Sequence, residues 1–166
     1  MKISGVDQLK RKIAALPRAA YDEMRAALAE SAGEIVATAK NFAPVKTGDL
    51  RDSIDFTFGE YVPDNANVRG VAAGGGKHDL AVTIHAGNER AFYAAFVEFG
   101  TAPHSTAKGG GTKRGQRRAK ASGKVFPGAA AHPFFYPAYR LGKKRARSRI
   151  SRAMTRAAKK VAASAS

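Results

Sequence analysis

Cysteine is absent from the 166-residue chain, which excludes a disulfide scaffold, a thiolate zinc site and a cysteine nucleophile. Tryptophan is absent too. No apolar run approaches the ~18 residues that a membrane span needs. Met1 to Leu16 mixes charged and apolar residues without the apolar centre of a signal peptide. The expectation is a soluble protein, intracellular or assembled inside a cell, with no membrane partner. Acid is missing from a whole region, because all thirteen Asp and Glu residues lie at or before Glu98.

What is present reads as one globular domain. Hydrophobic residues make up 44% and aromatics 8%, with nine Phe and five Tyr, enough for a modest core but hard to divide into two. The charge is unevenly placed. Up to Glu98, twelve Lys and Arg face the thirteen acids, whereas Phe99 to Ser166 holds seventeen Lys and Arg and no acid. Such an imbalance does not specify a fold, but it suggests a polyanionic partner, either nucleic acid or an acidic protein surface.

The periodicities place the elements. Asp7 to Leu16 reads as a short amphipathic helix through Leu9, Ile13 and Leu16, broken by Pro17. A long helix is expected from about Arg18 to Phe42, its stripe running Met24, Leu28, Ser31/Ala32, Ile35, Ala39, Phe42. Gly33 weakens that helix by roughly 1 kcal/mol relative to alanine, which suggests close packing there. Pro44 ends it. Thr47 is then a candidate N-cap for one turn carrying Leu50 and Ile54. Ile54–Val62 and Leu80–Ala86 alternate as half-buried strands around a turn-rich tip at 63–78. Ala91–Phe99 is a short apolar helix, with Phe92, Phe96 and Phe99 as a core stripe. Residues 102–131 are low in complexity and basic, which predicts a flexible arm. A last helix from Ala138 to about Ala163 would bury Leu141, Ala146, Ile150, Ala153/Met154, Ala157 and Val161, with ten Lys or Arg over the rest.

Catalytic patterns are missing. His78, His85, His104 and His132 have no metal-ligand spacing and read as loop or surface residues. Gly74-Gly-Gly-Lys77 lacks the distal glycine of a phosphate loop, and His78 replaces its Ser/Thr. Glu30 and Glu34 stand one turn apart on a polar face, where carboxylates are usually solvated. There is no Gly-x-Ser-x-Gly elbow. The reading is a non-enzyme without a cofactor or metal.

Three segments in order carry a resemblance: AKNFAPVKTGDLRDSI at 39–54, YAAFVEFGT at 93–101 and AHPFFYPA at 131–138. Together they resemble the tailed-bacteriophage neck family, whose members are called head–tail connector, tail-completion or minor tail protein Z-like proteins. The resemblance implies a structural virion protein, a ring subunit of the neck that joins or completes head and tail. Its implied partners are copies of itself in a ring of six or twelve and the neighbouring connector, stopper, terminator or tail-tube proteins. Loops 63–78 and 102–131 look longer than the family minimum, and the last helix is unusually cationic. The residues themselves read as architecture. Thr47 and Gly48 cap a turn anchored by Leu50 and Ile54. Tyr93, Phe96 and Phe99 belong to the apolar helix, and Gly100 suits a left-handed C-cap. Glu98 is either exposed or bound to an Arg or a backbone N–H. Pro133 and Pro137 fix the chain direction while Phe134 and Phe135 dock it.

The basic region leaves three readings: contact with genomic DNA in the neck lumen, docking on acidic protein, or a solvated face. A channel lining should let the genome slide, which favours docking on protein. The partner-contacting candidates are Lys113, Arg114, Arg117, Arg118, Lys143, Lys144, Arg145, Arg149 and Arg152. Mutual repulsion among them suggests that arm and helix become ordered only on assembly. A small nucleoid-type DNA-binding protein is the alternative function; it accounts for the charge but not for the three segments. The expected fold is α+β, a two- to four-stranded antiparallel sheet on the long N-terminal helix with a basic C-terminal helix. Along the chain this divides into a core at 1–101, a flexible basic loop at 102–131 and an anchor plus helix at 132–166, all packed as one domain.

Overall fold

The structure, a computed structural model, describes residues 18–63, 67–105, 112–121 and 125–164. The short helix expected at Asp7–Leu16 lies outside them. Helix α1 spans Arg18–Phe42 and α5 spans Phe135–Ser164. Between them come α2 (Asp49–Asp52), β1 (Asp55–Phe58), β2 (Val71–Gly74), β3 (Val82–Ala86), α3 (Ala94–Phe99), β4 (His104–Ser105), α4 (Lys113–Ala121) and β5 (Val125–Phe126). The fold is α+β: a three-stranded antiparallel sheet of order β1-β3-β2, packed on α1, with α5 lying along α1.

Helix α1 follows its stripe. Met24, Ala32, Ile35 and Ala39 are buried, while Phe42 is exposed. The last α1 carbonyls are still served, as Ala43 N–H donates to Ala39 O at 2.9 Å, and Pro44 prevents continuation. Gly33 has open space around it, and the tight approach is on the other helix: a Cβ on Gly142 of α5 would stand 2.4 Å from Ile35 Cγ1. Helix α5 buries Ala138, Ala153 and Ala157, whereas Leu141 and Met154, expected in its stripe, are exposed. Small side chains let the two long helices approach closely, so larger ones fall outside the seam.

Strand β3 is central and pairs with β1 (Phe56 opposite Ile84) and with β2 (Ala73 opposite Ile84). The sheet has three strands, within the expected two to four, but residues 71–74, placed by the sequence in the turn-rich tip, form one of them. Val-Ala-Ala-Gly has no apolar alternation, and its pairing partner supplies the strand character. His85, expected at the surface, is buried in β3 beneath the Tyr61 ring, stacked at 3.8 Å. The core gathers Ile35, Ala39, Leu50, Ile54, Ile84, Ala94, Phe134 and Phe135.

Within 102–131, expected as a flexible arm, the described residues carry regular structure. Residues His104 and Ser105 pair with Phe126 and Val125, and a bridge joins Thr101 to Ala129 below that ribbon. Above it, α4 is opened by Thr112, whose hydroxyl accepts from Gly115 N–H at 3.1 Å. Helix α5 packs along α1 within the single chain.

Candidate assembly interface

Helix α3 organises the candidate site. Asn88 Oδ1 accepts from the Arg90 and Ala91 N–H groups at 3.0 and 2.8 Å, turning the chain into the helix. The orientation of α3 differs from the expected one. Its buried side carries Ala91, Ala94 and Glu98, and Glu98 is only 3% exposed. Phe92, Phe96 and Phe99 stand 50%, 44% and 63% exposed on the opposite side.

The reason lies in α5. Glu98 Oε2 accepts from Phe134 and Phe135 N–H at 2.8 Å each, and Oε1 accepts from Tyr136 N–H at 3.0 Å. These N–H groups open α5, where a helix has no internal acceptors and carries partial positive charge. A carboxylate there is a remote N-cap, and it fixes which face of α3 points inward. His132 N–H donates to Val97 O at 2.8 Å and ties the same two ends together. Of the two alternatives left open for Glu98, the structure has the backbone contact.

Gly100 ends α3 with φ 73° and ψ −176°. The positive φ suits glycine, but the ψ is extended, so this is not the expected left-handed α cap. A Cβ there would stand 2.6 Å from Ala129 O, so the chain needs glycine twice over. At the first motif, Gly48 rather than Thr47 occupies the N-cap of α2, with φ 95°. Thr47 Oγ1 instead donates to the Asp49 carboxylate. Pro133 is exposed, Pro137 half-buried, and Phe134 fully buried.

The three sequence motifs therefore meet around α3. On one flank, Tyr93 and Val97 face Pro44, Val45, Thr47, Gly48 and Leu50 across a groove of about 500 Å³. On the other, Phe96 and Gly100 face Thr101, His104, Phe126 and Ala129 across an open groove of about 710 Å³. Phe126 was not singled out from the sequence, although Val125-Phe126 is the one apolar pair between Lys113 and Pro127.

The basic candidates divide. Arg149, 14% exposed, reaches Glu34 at 2.6 Å, Glu30 at 3.2 Å and Ser31 Oγ at 3.3 Å, so it is held inside the chain rather than offered to a partner. Arg145 lies 3.6 Å from Glu34. Farther along, Arg156 and Lys160 clasp Glu23 at 2.6 and 2.7 Å. Lys160 and Arg156 hold the Glu23 carboxyl below the usual carboxylate range, Arg149 does the same for Glu34, and Glu34 raises Arg149 further. Lys143, Lys144 and Arg152 on α5 and Lys113, Arg114, Arg117 and Arg118 on α4 are exposed, Lys143 standing over the Tyr139 ring at 5.6 Å.

Among the described residues, no group of three or more His, Asp or Glu is placed to hold a metal ion. No helix among them is long and apolar enough to cross a membrane. Residues 7–100, more than half of the chain, match the model of the HK97-gp10-like family, described as "Bacteriophage HK97-gp10, putative tail-component". The match runs through α3 to Gly100 and holds the first motif and all but the last residue of the second. No curated protein and no solved structure matches the chain.

Proposed function

The chain belongs to the HK97-gp10-like family of bacteriophage tail components, and from that premise we propose that it is a ring subunit of the virion neck, joining or completing head and tail. The observation that carries this beyond family membership is the α3 ridge. Phe92, Phe96 and Phe99 are exposed on one side of α3, and Phe96 shares a groove with Phe126, itself 41% exposed; exposed apolar surface of this kind suits an association site. Glu98 locks the ridge outward, so the exposure is built into the fold.

Grooves on both flanks of the ridge suit a head-to-tail contact, in which one side of a subunit meets the other side of the next. Such heterologous contacts close into rings when the rotation permits. Six or twelve copies would match the symmetry of tails and portals. The remaining partners are the connector or stopper on the head side and the terminator or tail tube on the other.

Two measurements test the proposal. Electron microscopy of particles from a phage or prophage lacking this gene should show filled heads beside separate tails; normal tailed particles would remove the neck assignment. Sedimentation of purified protein should show a closed oligomer that Phe96→Asp with Phe99→Asp reduces to folded monomer. An unchanged oligomer would take the ridge out of the interface.

A further inference from the structure

Positive charge on this chain has two environments. On α5, four cations reach Glu23, Glu30 and Glu34 of α1. On α4, Lys113, Arg114, Arg117 and Arg118 are exposed, and none of the ion pairs among the described residues includes them. Helix α4 packs chiefly on β4 of its own ribbon, so it is carried outside the α1–α5 body.

More copies of the chain bring no net counter-charge, because each adds +16 overall. A net counter-charge has to come from a different molecule. An acidic protein fits poorly, since protein interfaces have an apolar, charge-depleted centre. The exposed positions of α4 offer Lys113, Arg114, Gln116, Arg117, Arg118 and Ala121, with no large apolar side chain, while Gly115 faces inward. A phosphate backbone asks only for cations and polar donors. Lys113 and Arg117 form one i,i+4 row and Arg114 and Arg118 the next, with neighbours about 5–6 Å apart, a continuous stripe suited to successive phosphates. No residue of α4 is aromatic, so the helix offers no platform for base stacking.

We infer that α4 is a docking site for the phosphate backbone of double-helical DNA, read without regard to sequence, with Lys113, Arg114, Arg117 and Arg118 as the phosphate contacts. Contacts of this kind exchange readily and let a protein slide along the duplex, which removes the objection that a basic lining would hold a moving genome.

The test is fluorescence anisotropy of the full chain with a labelled duplex of about 30 base pairs, titrated with salt. The quadruple variant Lys113→Gln, Arg114→Gln, Arg117→Gln, Arg118→Gln should lower the slope of log affinity against log salt by about 3–4, at ~0.9 per lost phosphate contact. The control Arg140→Gln, Lys144→Gln, Arg147→Gln, Arg152→Gln removes the same charge from exposed α5 positions and should lower it clearly less. Circular dichroism checks folding; if the quadruple variant is misfolded, each of the pairs Lys113/Arg114 and Arg117/Arg118 should remove about half of the effect. Equal losses in both quadruple variants, or no duplex binding by the parent at low salt, would overturn the assignment. So would polyglutamate displacing the duplex at equal charge concentration, which would indicate an acidic protein. Sedimentation of the same samples separates this from the ring proposal: a monomer that binds through α4 sinks the ring alone, and an oligomer that ignores DNA sinks the arm alone.

Discussion

Replacing Glu98 tests the reasoning at the point where one side chain decides two orientations. In Glu98→Ala, the N–H groups of Phe134, Phe135 and Tyr136 lose their acceptor. Phe134 and Phe135 are buried, so water can reach only the third readily. An unmet buried donor costs about 1–3 kcal/mol, and loss of a charge at a helix start adds about 0.3–2 kcal/mol. The expected loss is roughly 3–6 kcal/mol, a large share of the ~5–15 kcal/mol that holds a domain together. Glu98→Gln keeps the shape and one acceptor oxygen but points an NH2 at a donor, and should lose about 2–4 kcal/mol. Urea unfolding followed by circular dichroism gives the totals, and hydrogen exchange gives the cause. Amide protection at 134–136 should fall first in both variants, ahead of the sheet. If both variants unfold within about 1 kcal/mol of the parent, with 134–136 still protected, Glu98 does not cap α5 and the outward ridge needs another explanation.

Gly142→Ala should destabilise by about 1–3 kcal/mol through overpacking, because its Cβ would meet Ile35, and Ile35→Ala should make the same substitution less harmful. Gly33→Ala, in open space on α1, should stabilise by about 0.5–1 kcal/mol; both are read from urea midpoints, and the reverse pattern would misplace the α1–α5 seam. Gly100→Ala should destabilise more than its exposure suggests, from strain at φ 73° and the contact with Ala129 O. Glu23 and Glu34 have folded pKa values below their ordinary 4.5. Their stabilisation is therefore complete above that pH and is lost as pH falls through the lowered values. Acid unfolding of Glu23→Gln with Glu34→Gln should show a shallower loss below about pH 4.5 than the parent; identical acid limbs would mean that these pairs do not stabilise the fold.

The long helices were legible because their signals are local. The α1 stripe and Pro44 gave Arg18–Phe42 directly, and Leu50 and Ile54 are buried as their spacing implied. Strand β2 was hidden because Val-Ala-Ala-Gly acquires its identity from the register with Ala86–Thr83. The face of α3 misled for a deeper reason. Hydrophobicity puts Phe92, Phe96 and Phe99 inside, and only a helix start some 36 residues away makes Glu98 the cheaper residue to bury. Arg149 was unreadable on the same ground, since its nearest acid, Glu34, stands 115 residues earlier in the chain. Helix α4 resembles a low-complexity stretch in composition, and the ribbon beneath it rests on two residues from each side.

The seventeen cations after Glu98 suggested a polyanionic partner, nucleic acid or acidic protein, and the fold separates them into groups with different demands. The acidic partner of the α5 inner face is α1 of the same chain, within the part that matches the family model. Arg149 is fastened by two carboxylates and a hydroxyl, so removing it strands those acids as well as breaking the pairs. A variant at Arg149 therefore reports on folding, whereas variants at Arg117 or Arg118, which pair with none of the α1 acids, test the proposed recognition. Any binding assay that neutralises the C-terminal charge wholesale mixes the two effects. Only the partition between α4 and the inner face of α5 lets loss of a partner be distinguished from loss of the fold.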